Sequence, residues 1–136
     1  MIRQQLLTRN PPLKLAAVID ESVLHRRIGG KSVMHRQLMH VVAVSELPHV
    51  DVRILPLSGD QLVSTGAFNY LRFRQIHEVP LNDMVSLEKL TETEHVEAED
   101  DSHQYLIAFE ALLGNALSAA ETRTLLELTA NQLWAP

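Results

Sequence analysis

The hydrophobic pattern at the start of the chain predicts a buried strand between two short helical segments. Residues 1–9 have helical character, which ends at Asn10 because the residue before a proline avoids the helical region. Residues 13–19 (LKLAAVI) form a mostly apolar run, which is typical of a buried strand. Asp20 can then cap a short helix that continues to Arg27 and is closed by Gly29 and Gly30.

A longer helix and a second strand follow. Residues 31–47 are predicted to be helical because apolar residues recur on one face at a spacing of about 3.6 residues, and Pro48 ends the helix. The residues of this face are Met34, Leu38, Val41 and Val42. Residues 50–54 then alternate between apolar and charged side chains, with Val50, Val52 and Ile54 as the apolar set. This alternation predicts a half-buried strand.

The second half of the chain predicts three strands and then two helices. The strands are expected at residues 67–73 (AFNYLRF), 84–90 (MVSLEKL) and 93–97 (TEHVE), with loops at 57–66 and 74–83. A helix opens at residues 99–104 (EDDSHQ), and its apolar face consists of Leu106, Phe109, Leu113 and Leu117. Residues 118–121 (SAAE) match a capping box and start a last helix that runs through Trp134.

These elements predict an α+β fold. The length of 136 residues suits one domain, residues 1–136, with a mixed sheet of four or five strands packed by helices. Two adjacent helices with apolar stripes at the C-terminal end predict a helical hairpin. No internal repeat, low-complexity tract or linker divides the sequence.

The composition is that of an ordinary globular protein, with 46% hydrophobic and 21% charged residues. No apolar run approaches the roughly 20 residues needed to cross a bilayer, and the first residues lack the apolar core of a signal peptide. The chain has no cysteine, which excludes disulfides, thiolate metal ligands and cysteine nucleophiles. We therefore expect a cytoplasmic protein that does not contact a membrane.

The charge is unevenly distributed along the chain. Residues 1–80 carry ten Lys or Arg and six Asp or Glu, a net charge of +4, whereas residues 81–136 carry two and eleven, a net charge of −9. The two values add up to the net charge of −5 of the whole chain. An acidic chain without a stripe of Lys and Arg is a poor partner for a phosphate backbone. Direct binding of nucleic acid by this chain alone is therefore not expected.

The segment AVIDESVLHRRIGG, residues 17–30, is the first candidate site. Asp20 and Glu21 fit the start of a helix, and the His-Arg-Arg cluster that includes Arg26 fits its end, because the helix dipole favours those charges there. A loop that handles a ligand or an anion is the alternative interpretation. The sequence IGGKS resembles a phosphate-binding loop, but that motif requires a glycine where the chain has His25.

Metal and nucleophile motifs do not emerge from the sequence. His35 and His40 are five residues apart on a predicted helix, so their side chains diverge, and no spacing typical of a zinc site occurs. The G-x-S-x-G motif of serine hydrolases is absent as well. We predict neither a metal nor a cofactor.

Glu88 is the second candidate site. It lies among apolar neighbours in a predicted strand, on the face opposite Val85 and Leu87, so that it points either to solvent or into a polar pocket. A buried carboxylate would need a cationic partner, and the candidates are Arg26, Arg36 and Arg72.

Three stretches of the sequence resemble the C-terminal domain of actinomycete antitoxin-like transcriptional regulators, which carry a Cro/repressor-type helix-turn-helix ahead of it. In residues 6–42 the resemblance rests on an acid pair after an apolar strand, an L-x-R motif, a glycine and an M-x-x-Q-L motif. The matching residues are Asp20, Glu21, Leu24 to Arg26, Gly29 and Met34 to Leu38. Residues 52–56 (VRILP) and 68–73 (FNYLRF) are similar to the middle strands of that domain. Residues 84–126 are similar to its closing strands and helices, with Glu88 at a glutamate that the pattern usually shows.

The resemblance implies a regulatory domain that binds a small partner protein or a small-molecule effector and that is able to form a homodimer. DNA would be bound only through a helix-turn-helix that we expect to lie outside this chain. The predicted ligand- or partner-binding residues are Glu21, Arg26, Arg36, Arg72 and Glu88.

Two other interpretations remain open. One is a stand-alone, cofactor-independent enzyme of a specialised biosynthetic pathway, in which Glu21, Arg26, His77 and Glu88 would converge. The other is a dimerisation module whose C-terminal helices pair through Leu125, Leu126, Leu128 and Trp134.

Overall fold

The computed structural model describes residues 2–9, 11–59, 66–73 and 82–136. Its α-helices are α1 (Ile2–Gln5), α2 (Lys31–Ser45), α3 (Glu99–Asn115) and α4 (Ala119–Gln132), and a 3-10 helix spans Glu21–His25. Its strands are β1 (Leu15–Asp20), β2 (Val50–Leu55), β3 (Asn69–Leu71), β4 (Met84–Glu88) and β5 (Thr93–Val96). The α+β fold class and the two C-terminal helices are therefore confirmed.

The chain divides into two compact units. Unit 1 comprises Met1–Gly59 and Asn115–Pro136, and unit 2 comprises Asp60–Gly114. The described strands form two sheets, a parallel pair β1–β2 and an antiparallel sheet in the order β3–β4–β5, where a single mixed sheet was expected. The chain connections explain the strand directions, because β1 reaches β2 through helix α2, as parallel neighbours require, whereas β4 and β5 are joined by a short turn.

Unit 1 is built around the parallel pair and two helices. The strands pair in register from Leu15 opposite Val50 to Asp20 opposite Leu55. The alternation predicted for β2 is confirmed, since Val50, Val52 and Ile54 are buried and the residues between them are half-buried. Helices α2 and α4 pack against each other and against β2.

The core of unit 1 joins all of these elements. Its buried members are Leu24, Met34, Leu38, Val42, Ile54, Leu126, Ala130 and Trp134. The predicted stripe of α2 is confirmed, with Val41 packed against the core from a partly buried position. Helix α4 begins with the predicted capping box, in which the backbone N–H of Glu121 donates to the Ser118 hydroxyl at 3.1 Å.

Trp134 and Leu126 belong to this core. Both are among the residues through which the C-terminal helices of two copies were predicted to pair. Helix α4 ends at Gln132, and the Trp134 ring folds back so that its Nε1 donates to the carbonyl of Leu24 at 2.8 Å. Leu126 is completely buried, Leu125 packs against the core, and Leu128 is exposed. Leu126 and Trp134 are thus used inside the chain and present no surface to a second copy.

Unit 2 has much less buried apolar surface. In the antiparallel sheet, Tyr70 pairs with Val85, and Val85 pairs with Val96. Val85 is the one fully buried apolar side chain among the described residues of this unit. On α3 the buried residue is Ser102, and the predicted apolar residues Leu106, Phe109 and Leu113 are only half-buried. Leu117, expected on the same helix face, follows α3 and packs against the core of unit 1.

Several predicted boundaries differ from the structure by a few residues; for example, β3 spans Asn69–Leu71 where residues 67–73 were expected. Strand β1 begins at Leu15, two residues later than expected, and the short helix is a 3-10 helix that ends at His25 before Arg26. Strand β4 ends at Glu88 before the expected Leu90. The predicted loops at 57–66 and 74–83 lie largely outside the described residues.

Candidate functional site

The candidate site is the carboxyl end of the parallel strand pair in unit 1. Asp20 and Leu55 are paired there, so the segments that follow both strands start from the same edge. Ligands of parallel α/β units bind most often at this end of the strands. Residues 21–30, which connect β1 to α2, are called the β1–α2 connection below.

Glu21 holds the β1–α2 connection against the segment after β2. Its Oε1 accepts a hydrogen bond from the backbone N–H of Leu57 at 3.2 Å, and its Oε2 lies 3.0 Å from Nε2 of His25. The side chain of Glu21 is 18% exposed, whereas that of His25 is 43% exposed. Both carboxylate oxygens are therefore occupied, and Glu21 positions two chain segments while His25 faces solvent.

Asp20 has a structural role, in agreement with its predicted function as a helix cap. Its carboxylate accepts a hydrogen bond from the backbone N–H of Ser22 at 2.9 Å. This bond is the main reason why the pKa of Asp20 is lowered from its ordinary value, since it stabilises the charged form. The adjacent acids thus make different contacts and do not form a paired acid and base.

Gly29 and Gly30 shape the second half of the connection. Both have positive φ angles, 78° and 94°, which favour glycine. A Cβ on Gly29 would lie 3.0 Å from Cγ1 of Val33, so the chain passes close to the first turn of α2. Gly30 is the N-cap residue of α2. The glycines therefore start the long helix, and the expectation that they end the short one is wrong.

The β1–α2 connection and its neighbours expose apolar and cationic side chains together. Ile28 is 63% exposed, and Leu57, which is hydrogen-bonded to Glu21, is 60% exposed. The other exposed residues of this surface are Val23, His25, Arg26, Arg27, Lys31 and Val33. We call this set, with Ile28 and Leu57, the connection surface.

The five predicted binding residues are divided between the two units. Glu21, Arg26 and Arg36 belong to unit 1, where Arg26 follows the 3-10 helix and Arg36 is exposed on α2. Arg72 and Glu88 belong to unit 2. Of the two directions foreseen for Glu88, the structure shows the solvent-facing one, because the residue is exposed at the end of β4.

Arg72 takes part in a polar cluster that the sequence did not reveal. Its Nε lies 3.7 Å from a carboxylate oxygen of Asp83, and its guanidinium carbon lies 5.8 Å from the centre of the Tyr70 ring. The Tyr70 hydroxyl donates to the same carboxylate at 2.6 Å. Burial and, second, this bond to Asp83 raise the pKa of Tyr70 above its ordinary value. The one sequence feature that could have indicated this cluster is the position of Asp83 directly before β4.

A depression of about 460 Å³ lies at the opposite, amino end of the strand pair. Its lining residues are Pro12, Lys14, Pro48, His49, Val50 and Asp51. It contains none of the five predicted binding residues. His77, named in the enzyme interpretation, lies outside the described residues.

Within the described ranges, no group of three or more His, Cys, Asp or Glu residues has the arrangement of a metal site. Among the helices placed there, none combines the length and the apolar character required to span a bilayer.

Comparison with known sequences assigns the chain to a family. Unit 1 is a parallel strand–helix–strand unit against which the C-terminal helix α4 packs. Its candidate site is the connection surface, where apolar and cationic side chains are exposed together. Residues 1–128 match the family described as "Domain of unknown function (DUF5753)", and the chain belongs to this family. No curated protein matched the sequence. No solved structure matched it either.

Proposed function

We propose that this chain is a non-catalytic, partner-binding regulatory domain of an antitoxin-like transcriptional regulator, and that the connection surface binds the partner protein. DNA binding in such a regulator belongs to a separate helix-turn-helix. The sequence resemblance described above supplies the regulatory context, and membership of the DUF5753 family is compatible with it.

The observation that carries the proposal is the exposure of apolar side chains beside cations. Ile28 and Leu57 are each about three-fifths exposed, although such side chains are normally buried. Arg26 and Arg27 are exposed next to Ile28. Apolar side chains rimmed by polar ones are typical of surfaces that bind a protein or another ligand.

The charges of the surface indicate the chemistry of the partner. Arg26, Arg27 and Lys31 are positive, and the nearby carboxylate of Glu21 is already occupied by Leu57 and His25. A partner segment with an apolar side chain flanked by carboxylates would satisfy both features. The fixed hydrogen bonds of Glu21 keep the two halves of the surface in place, which lowers the ordering cost of binding.

The test is a calorimetric titration of the purified chain with the protein encoded by the neighbouring gene. We expect a complex whose affinity falls at least about tenfold in Ile28→Ser, because central apolar residues dominate binding energy. An Arg26→Ala, Arg27→Ala double variant should weaken the complex and flatten its dependence on salt concentration.

The matched control is Leu90→Ser, since Leu90 is fully exposed and lies in unit 2. This variant should bind like the unchanged chain. Absence of a complex, or equal losses in Ile28→Ser and Leu90→Ser, would refute the proposal.

A further inference from the structure

The two outer edges of the β1–β2 pair are treated differently by the rest of the chain. On the outer edge of β2, the backbone N–H of Ile54 donates to the Thr122 hydroxyl at 2.9 Å, and the carbonyl of Ile54 accepts from the N–H of Leu117 at 2.8 Å. The N–H of Val50 donates to the carbonyl of Leu47. The outer edge of β2 is therefore occupied near both of its ends, at Val50 and at Ile54.

Within the described ranges, no other strand or helix bonds to the outer edge of β1. The N–H of Leu15 donates to the carbonyl of His49, so the odd-numbered residues of β1 direct their backbone groups towards β2. The backbone groups of Ala16 and Val18 and the N–H of Asp20 therefore point away from the sheet. None of the residues that the structure describes supplies a hydrogen-bond partner for them.

The sequence of β1 suits a strand with neighbours on both sides. LAAVID is apolar on both faces, a pattern typical of strands inside parallel sheets, yet Leu15 and Ala16 are exposed. Natural edge strands are usually protected by an internal lysine, a proline or a bulge. Residues 15–19 contain none of these devices.

The charges at the two ends of β1 indicate what kind of strand can bind to its outer edge. Lys14 precedes the strand, and Asp20 and Glu21 end it. If two copies pair antiparallel about Val18, the Lys14 end of each strand lies beside the acidic end of the other. The arrangement is self-complementary, as a twofold interface requires. A parallel arrangement would place like charges together.

We propose that the free edge of β1 binds β1 of a second copy of this chain, antiparallel and centred on Val18. The strand order of the continuous sheet is then β2–β1–β1–β2. The N–H and carbonyl groups of the two Val18 residues bond to each other, and each Asp20 N–H donates to the Ala16 carbonyl opposite. This interface is independent of the connection surface and of its proposed partner.

The first test is analytical ultracentrifugation of the whole chain and of Val18→Pro. The N–H of Val18 points away from β2, so proline removes the central intermolecular bonds without breaking the ladder between β1 and β2. We expect a dimer for the unchanged chain and loss of that dimer for Val18→Pro, with circular dichroism as a check of folding. A monomeric unchanged chain at every accessible concentration would overturn the proposal.

The second test keeps the proposal falsifiable if Val18→Pro fails to fold. In the proposed register Ala16 lies opposite Asp20 of the second copy. Ala16→Asp should therefore raise the dimer dissociation constant about tenfold, whereas Ala16→Lys should leave it unchanged or lower it. Ala120→Asp introduces the same charge at an exposed position of α4 and should have no effect.

Hydrogen exchange identifies the surface directly. The amides of Ala16, Val18 and Asp20 should become protected as the protein concentration rises through the dimer dissociation constant. A dimer in which these amides exchange freely, or one that Ala16→Asp and Ala16→Lys weaken equally, would show that another surface holds the two copies and would overturn the proposal.

Discussion

Units 1 and 2 differ in how they are held together. Among the described residues, unit 1 contains ten of the eleven buried apolar side chains, and unit 2 contains Val85. The apolar patterns of the two units explain this difference in burial. In unit 1, the period of β2 and the stripes of α2 and α4 converge on one cluster, whereas the apolar residues of α3 are only half-buried.

Polar and aromatic contacts are prominent in unit 2 instead. Tyr70 bonds to Asp83, the rings of Phe68 and Tyr105 meet edge to face at 5.1 Å, and Lys89 lies 2.8 Å from Glu94. The bond of Tyr70 and the ring contact each contribute about 1 kcal/mol or less when partly exposed. The solvent-exposed ion pair of Lys89 contributes little because water screens it. A mutation of the same chemical type should therefore lower the free energy of unfolding more in unit 1 than in unit 2.

The largest expected effect is therefore in the core of unit 1. Leu126→Ala should lower the free energy of unfolding by about 3 kcal/mol, because a completely buried leucine leaves a cavity among close-packed neighbours. Val85→Ala should cost about half as much, since it removes fewer atoms from a smaller apolar interior. Urea denaturation gives both values.

Native-state hydrogen exchange extends the comparison to each unit. Leu126→Ala should reduce the protection of amides in α2, α4 and β2, and Val85→Ala should reduce that of β4 and β5. An equal loss of unfolding free energy in the two variants would contradict the view that unit 1 carries most of the stability.

The next effect concerns the outer edge of β2 at Ile54. Thr122→Val keeps the size of the side chain but removes the acceptor of the Ile54 N–H, which is buried. A buried donor without a partner costs about 1–3 kcal/mol, so we expect a loss of about 2 kcal/mol in the free energy of unfolding. Thermal or urea denaturation measures it.

Thr124→Val is the matched control. Thr124 lies on the same helix, is exposed, and bonds only to the carbonyl of Ala120 in its own helix. Its replacement should change the free energy of unfolding by no more than about 0.5 kcal/mol. Equal effects of the two valines would show that the bond to Ile54 contributes no more to stability than the bond of an exposed hydroxyl.

Local patterns predicted the elements of the fold but not their assembly. The alternation of β2, the stripe of α2 and the capping box at Ser118 each depend on residues within one segment, and all three are confirmed. The division of the strands into two sheets depends on pairing between distant segments. Thr122 shows the same limit, because a helical pattern does not reveal that a hydroxyl will meet a strand edge 68 residues away.

The candidate site contains one feature that the local sequence predicts and one that depends on contacts between distant segments. The position of Glu21 after an apolar strand predicts a role at the candidate site. In the structure its carboxylate bonds to Leu57 and His25 at the carboxyl end of the strand pair. Its contact with Leu57 could not be foreseen, since that contact exists only once β2 lies beside β1. The predictions for Glu21, Arg26 and Glu88 rest on an acid pair, a basic cluster and a family pattern. Those for Arg36 and Arg72 rest on the need of a buried Glu88 for a cationic partner. None of these signals specifies distances between segments.

The smallest expected effect compares the starts of α4 and α3. In unit 1, the Ser118 hydroxyl accepts from the N–H of Glu121, and the Ser118 N–H donates to the Glu121 carboxylate at 3.2 Å. In unit 2, α3 starts with Glu99 and two further acids in its first turn. Ser118→Ala should cost about 1 kcal/mol, whereas Glu99→Gln should cost less, because an acid near a helix dipole contributes less than a complete cap.

The dependence on pH separates the capping box from a simple loss of a hydroxyl. Hydrogen bonds from the Ser118 hydroxyl and, second, from its backbone N–H hold the pKa of Glu121 below its ordinary value. A lowered carboxyl pKa contributes stability above the unfolded-state pKa, and this stability is lost as the pH falls through the folded-state pKa. The difference in unfolding free energy between the unchanged chain and Ser118→Ala should therefore shrink in acid, in denaturation curves recorded from neutral pH downwards. A difference that stays constant across this range would mean that the Glu121 carboxylate takes no part in the cap.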